Sequence, residues 1–182
     1  MYLTSAHTSG EDMYHSHTVV KSLFPGEERV LFSNTFGRVK VLSSNKPTEV
    51  RAYDGSEVVD IKEVSSPEAG KTITVKIIFN PTKQVRLTKG GNRSRCTGIL
   101  DTEEAKKWLE RKLTQAGSKP QMLAVDSRGV ATVEKGGRHH ATLALHQAIG
   151  LVTVEDADKF RQALLAGIGG GKFAGCGMID IW

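Results

Sequence analysis

Tyr14, His17 and Lys21 stand close together in the sequence, and their types suit proton transfer beside a negative charge. They lie in a segment from about Glu11 to Phe24 whose apolar residues recur at helical spacing and which Pro25-Gly26 ends. At roughly 100° per residue, Met13, Val20 and Phe24 share one line, and Leu23 and Val19 widen the apolar arc. His17 falls at the other edge of that arc, roughly 40° from Met13, with Lys21 and Tyr14 just beyond it at about 80° and 100°. His15 projects roughly 200° away and reads as exposed, so the wheel prefers His17. An imidazole titrates near neutral pH and can take or give a proton. A nearby ammonium stabilises charge that builds on phosphate oxygens. Together they suit attack of a ribose 2′-OH on its neighbouring phosphate, a metal-free way to cut RNA. Helix geometry fixes reach and not protonation, so the acid or base role of His17 stays open. The same three residue types also meet on ordinary helix surfaces.

The second feature is a glycine-rich tail, Gly167-Ile168-Gly169-Gly170-Gly171-Lys172-Phe173-Ala174-Gly175-Cys176-Gly177. One reading is a set of turns between a helix and a strand. The other is an anion contact, because glycines such as Gly169 and Gly171 expose backbone N–H groups and admit another backbone closely. Lys172 would then reach a phosphate. A nucleoside triphosphate loop does not fit: the run follows a helix, and no Lys-Ser/Thr pair closes it.

Charge is the third feature. The 182 residues carry a formal net charge of +5. From Pro81 to Lys119 there are ten basic residues against four acidic ones, so this stretch alone is at +6 and the rest of the chain at −1. Local basicity of this kind is the footprint of a phosphate-tracking surface, and also of a solvated linker beside a charged helix face.

These groups must be held by an α+β scaffold. Met1–His7, Val30–Phe32, Val39–Leu42, Val58–Ile61 and Thr72–Phe79 read as strands, the last two as a pair. Ser43–Ser56 holds little pattern, which leaves the first unit short of a second helix. A helix follows from Asp101 to about Ala116, then strands at Met122–Val125, Val130–Glu134 and within Ala141–Val154. A further helix, about Glu155 to Ala166, precedes the tail and a last strand at Gly177–Ile181. The expectation is two tandem ferredoxin-like (RRM-like) domains, residues 1–85 and 101–182, joined by a basic linker at 86–100. Such sheets bind RNA and small molecules alike, so fold alone decides nothing. Two cysteines without metal-ligand spacing imply reduced thiols and no metal or cofactor site. No apolar run approaches the roughly 18 residues of a membrane span, and no signal-peptide core opens the chain, so a cytoplasmic protein is expected.

Further segments share one resemblance. Met1-Tyr2-Leu3, Asp12-Met13-Tyr14-His15-Ser16-His17 and Leu23-Phe24-Pro25 are similar to the N-terminal strand and catalytic helix of the CasE family of CRISPR repeat endoribonucleases. Asn80-Pro81-Thr82-Lys83, Arg95-Cys96 and Trp108-Leu109-Glu110-Arg111-Lys112 resemble its middle motifs. Asp156-Ala157, Gly167-Ile168-Gly169, Lys172 and Gly175-Cys176-Gly177 resemble its C-terminal signature. The resemblance spans nearly the whole chain. It implies cleavage of precursor CRISPR RNA at the base of each repeat stem-loop, leaving a 5′-hydroxyl and a 2′,3′-cyclic phosphate. It also implies retention of the product and assembly with other Cascade subunits. Carried over by position, the catalytic pair falls on Tyr14 and His17. RNA contacts fall on Lys83, Lys89, Arg93 and Arg95, with Lys172 in the glycine loop; Lys21, Arg111, Gly169 and Gly171 join these groups from the reading of the residues.

The chain departs from the family in the short stretch Asn45–Asp54 and in compression after Lys119. His139, His140 and His146 read as structural or exposed. Two other classes stand beside the nuclease: a subunit that holds an RNA hairpin without cutting it, and a ferredoxin-like sensor of a small metabolite. The sensor explains neither the clustered charge nor the tail.

Overall fold

The computed structural model describes residues 1–8, 13–26, 30–35, 37–86, 94–135 and 138–182. Chain order runs β1 (Tyr2–His7), α1 (Met13–Leu23), β2 (Leu31–Thr35), β3 (Arg38–Ser43) and β4 (Val58–Glu63). These strands form one antiparallel sheet in the order β2-β3-β1-β4. Val19, Val20, Leu23 and Phe24 of the first helix region bury against Ala6, Phe32, Val39 and Val41, which face it from the sheet. Truncating a side chain such as Leu23 in that layer costs about 2–5 kcal/mol. The order is that of a ferredoxin-like unit, with residues 44–57 as a helix-free connection where the second helix would stand.

The second unit repeats the plan with every element present. It comprises β5 (Thr72–Phe79), the hairpin β6 (Thr82–Arg86) and β7 (Ser94–Gly98), and α2 (Thr102–Gln115). Then follow β8 (Ser118–Lys135), β9 (Arg138–Val154), α3 (Ala157–Ala166) and β10 (Ile179–Ile181). The sheet order is β10-β5-β9-β8, all antiparallel. Each helix starts on a side-chain cap: Asp101 accepts from the Glu104 N–H, and Asp156 from that of Lys159. Trp108, Leu109 and Leu113 of α2 and Phe160 and Leu164 of α3 close over Val75, Ile77 and Phe79 of β5.

Two expectations about the strands are corrected. Thr72–Phe79 does not pair with Val58–Ile61; it is the central strand of the second sheet, between β9 and β10. Sorted by hydrogen bonding, the change of sheet falls between Glu63 and Thr72. Alternation marks a strand but not its partner, and here the partner comes from about 70 residues further on. Strand β7 pairs with β6 in register Lys83↔Thr97 and Val85↔Arg95. The segments expected as three strands between Met122 and Val154 are one long hairpin, β8 with β9, whose register shifts near Gly129 at φ +81°.

Candidate active site

Helix α1 presents its buried stripe to the first sheet and its N-terminal turn to the second unit. Met13 and Tyr14 pack on the cluster of Val133, Leu143, Leu145, Ala174 and Cys176, so the helix bridges both halves of the molecule. The Tyr14 and His17 rings lie 6.0 Å apart, tilted by 41°, and His17 is 6.2 Å from the ring of Phe32. Tyr14 and His17 are half-buried and Lys21 is exposed. His17 and Lys21 then line one cleft of about 310 Å³ together with Lys172 and Phe173 from the tail and Leu31 from β2. Two features more than 150 residues apart in sequence thus converge on one space.

The tail reaches that cleft through turns. Gly171, at φ +78°, opens a short 3-10 turn, Lys172–Ala174, and its carbonyl accepts from the N–H groups of Ala174 and Cys176 at 2.9 and 3.2 Å. Gly169, at φ +74°, packs against the indole of Trp108 so closely that a Cβ there would stand 2.5 Å from its Cη2. Both glycines shape the loop that aims Lys172; L residues rarely adopt such φ values.

His15 corrects an expectation. It is half-buried, its Nε2 donates to Asp54 Oδ2 at 2.8 Å, and its Nδ1 lies 3.2 Å from the Tyr53 hydroxyl. Burial pushes the Asp54 carboxyl up, but hydrogen bonds from Ser56 and His15 outweigh this and hold it below its ordinary value. His15 therefore ties α1 to the connection that replaces the missing helix. His146 is buried, with Nε2 2.9 Å from the Ile99 carbonyl and its ring 5.7 Å from that of Phe79, a structural position. His140 sits exposed, edge-on to Phe173 at 5.1 Å.

The basic segment builds a second surface. Register places Lys83 and Arg95 on one face of the β6–β7 hairpin. Lys83, Lys107 and Arg111 line a groove of about 540 Å³ between that hairpin and α2, with Trp108 at its floor donating Nε1–H to the Thr82 carbonyl at 3.1 Å. Lys83 pairs with Glu104 at 2.8 Å, both half-exposed, a contact worth little in water. Lys107 was not singled out by sequence; its spacing of four from Arg111 on one helix is the signal that could have found it. Asn80 was likewise missed as an organiser: its Oδ1 accepts from the Ala144 N–H at 3.0 Å, and its backbone bridges to Gly170. Lys89 and Arg93 lie outside the described residues.

No group of three or more His, Cys, Asp or Glu side chains fit to hold a metal occurs among the described residues. No described helix is long and apolar enough to cross a membrane. Both cysteines are free thiols.

Two ferredoxin-like sheets meeting at a cleft of histidine and lysines define a class: a tandem ferredoxin-like protein with a cationic histidine site at its junction. Residues 3–182 match the family described as CRISPR associated protein, and the chain belongs to that family. Comparison with curated protein sequences returns no match. Among solved structures, the CRISPR-associated protein Cas6e of Escherichia coli K-12 is similar at TM-score 0.80 and 23% identity, over 100% of this chain and 98% of that one. The CRISPR endoribonuclease Cse3 bound to a 19-nucleotide RNA is similar at TM-score 0.81 and 19% identity, over 100% of both chains. A chain of E. coli Cascade bound to a PAM-containing double-stranded DNA target is similar at TM-score 0.63 and 17% identity, over 100% and 98%. At these identities the likeness is one of fold.

Proposed function

We infer that this protein is an endoribonuclease that binds CRISPR repeat stem-loops and cuts precursor CRISPR RNA at His17. The observation that carries the reading is the convergence of His17, Lys21 and Lys172 on one cleft, with Tyr14 against the imidazole. The RNA-bound state of the similarly folded Cse3 supports the substrate class.

In the proposed reaction the ribose 2′-oxygen attacks the adjacent phosphorus as the bond to the 5′-oxygen breaks. The 2′-OH proton passes to a base, and a proton is delivered to the leaving oxygen, which departs as a 5′-hydroxyl. The other end closes as a 2′,3′-cyclic phosphate. His17 supplies one of these transfers. Tyr14 positions its ring and offers a hydroxyl at the same phosphate. Lys21 and Lys172 stabilise the charge that grows on the non-bridging oxygens. Every step uses side chains of this chain and none calls for a metal. The stem lies along the groove of Lys83, Lys107 and Arg111 and the hairpin face bearing Arg95, with Lys89 and Arg93 in the same basic segment. Gly169 and Gly171 hold the tail in the turn that points Lys172 at the phosphate, where their backbone meets the RNA.

Similarity to a Cascade chain supports assembly with other Cascade subunits; a cytoplasmic protein that keeps its product belongs to the same reading. A repeat RNA carrying a single 2′-deoxyribose at the scissile nucleotide tests the chemistry. It binds like the all-ribose RNA and stays uncut; cutting of the deoxy substrate would rule out 2′-OH attack.

A further inference from the structure

A second pocket, between the outward faces of β3 and β5, is separate from the cleft at His17. Along β3 the residues alternate, so Val39 and Val41 face α1 while Arg38 and Lys40 face the other way. On β5, Val75, Ile77 and Phe79 face the second core while Lys76 and Ile78 face away from it. These two outward faces meet in a pocket of about 200 Å³, lined by Arg38, Lys40, Lys76, Ile78, Asp180 and Trp182. Three cations there oppose one carboxylate.

Lys40 donates to Asp180 at 2.7 Å, and its Nζ stands 4.6 Å from the centre of the Trp182 ring, so its charge is held in place. Arg38 and Lys76 make no ion pair among the described residues. Trp182 leaves 74% of its surface to solvent, although it is the kind of side chain that water disfavours most. An open indole beside Arg38 and Lys76 suits a ligand with a flat aromatic face and an anionic group. Sheet faces of RRM-like units stack unpaired bases in this manner, and the pocket is too narrow for a duplex. It also adjoins the active cleft: Leu31 lines the cleft and Ser33, two positions on along β2, lines this pocket.

We propose that the pocket between the outward faces of β3 and β5 binds one nucleotide, its base on Trp182 and its phosphate on Arg38 and Lys76. The nucleotide comes from a single-stranded RNA segment or from a free mononucleotide; both present the same chemistry. The proposal uses none of the catalytic assignments.

Trp182 is exposed while Trp108 is buried, so quenching of the exposed, red-shifted emission reports on this pocket. Full-length protein is titrated with hexauridylate, AMP, inorganic phosphate and hexaglutamate, as wild type and as the Arg38→Glu/Lys76→Glu double variant. Hexauridylate quenches the wild type saturably, and the double variant binds it at least tenfold more weakly while its thermal melt matches that of the wild type, which shows that it is folded. Equal action by AMP assigns the pocket to a mononucleotide; action by hexauridylate alone assigns it to an RNA segment. Absence of quenching, equal affinity in the double variant, or equal action by phosphate or hexaglutamate would overturn the proposal. Trp182→Ala provides an independent check: anisotropy of labelled hexauridylate falls about tenfold in affinity if the base stacks there and is unchanged if it does not.

Discussion

Gly169 lies against the edge of the Trp108 indole, where a Cβ would stand 2.5 Å from Cη2. One contact thereby joins the glycine tail, which brings Lys172 to the cleft of His17, to the helix that carries the basic groove. Trp108 is itself fixed by its bond to the Thr82 carbonyl and by stacking on Phe79, at 5.9 Å between centroids and 10° between planes.

Gly169→Ala should therefore act twice. The added methyl meets the indole, and the φ of +74° disfavours any L residue. A loss of roughly 2–4 kcal/mol in unfolding free energy is expected from strain and overpacking together. Denaturant melts check the stability. Cleavage by the remaining folded protein should also slow, because Lys172 loses its placement.

Lys172→Ala separates rate from affinity. On the proposed mechanism its removal should lower the single-turnover rate by about 10²-fold, with a much smaller change in hairpin affinity. Arg111→Ala should do the reverse. It should weaken binding across hairpin sequences and lower the salt slope of binding by about one, while the cleavage rate of the saturated complex stays near wild type.

His15→Ala distinguishes the two neighbouring histidines. Losing the bond to Asp54 should cost about 1 kcal/mol of stability and leave the cleavage rate within a few-fold of wild type. The Asp54 carboxyl is held below its ordinary value of 3.8 in the fold. A depressed acid contributes stability above its unfolded value, and that contribution is lost as pH falls through the folded one. Acid melts should show this loss below about pH 4, and it should be smaller in His15→Ala.

The two thiols should behave differently. Burial pushes the Cys176 thiol up to about 12, whereas Cys96 is exposed on β7. At pH 8 a thiol reagent should modify one cysteine quickly and the second only after unfolding. The raised value also implies that stability declines as pH rises above 9, the ordinary value, because only the unfolded thiol ionises there.

The grouping of residues at the candidate cleft was more legible in sequence than the strand pairing. Helical spacing alone placed His17 and Lys21 on one edge of α1, since a helix fixes its own faces. Lys172 was named from its glycine neighbours, but only the folded chain shows it beside His17. His15 read as exposed because its partner Asp54 lies 39 residues on, in a stretch without pattern. Thr72–Phe79 was recognised as a strand and given the wrong neighbour, because alternation encodes faces and carries nothing about sheet order. The β6–β7 hairpin was hidden by its charge: Lys83 and Arg95 face outward on a pair with little apolar alternation.

The most direct test of the central claim is a single-turnover assay on the CRISPR repeat hairpin from the source genome, with EDTA present, comparing wild type and His17→Ala. The account predicts cleavage by wild type alone, with hairpin affinity nearly equal in the two. Full cleavage by His17→Ala would contradict it, as would tight binding without cleavage by either protein.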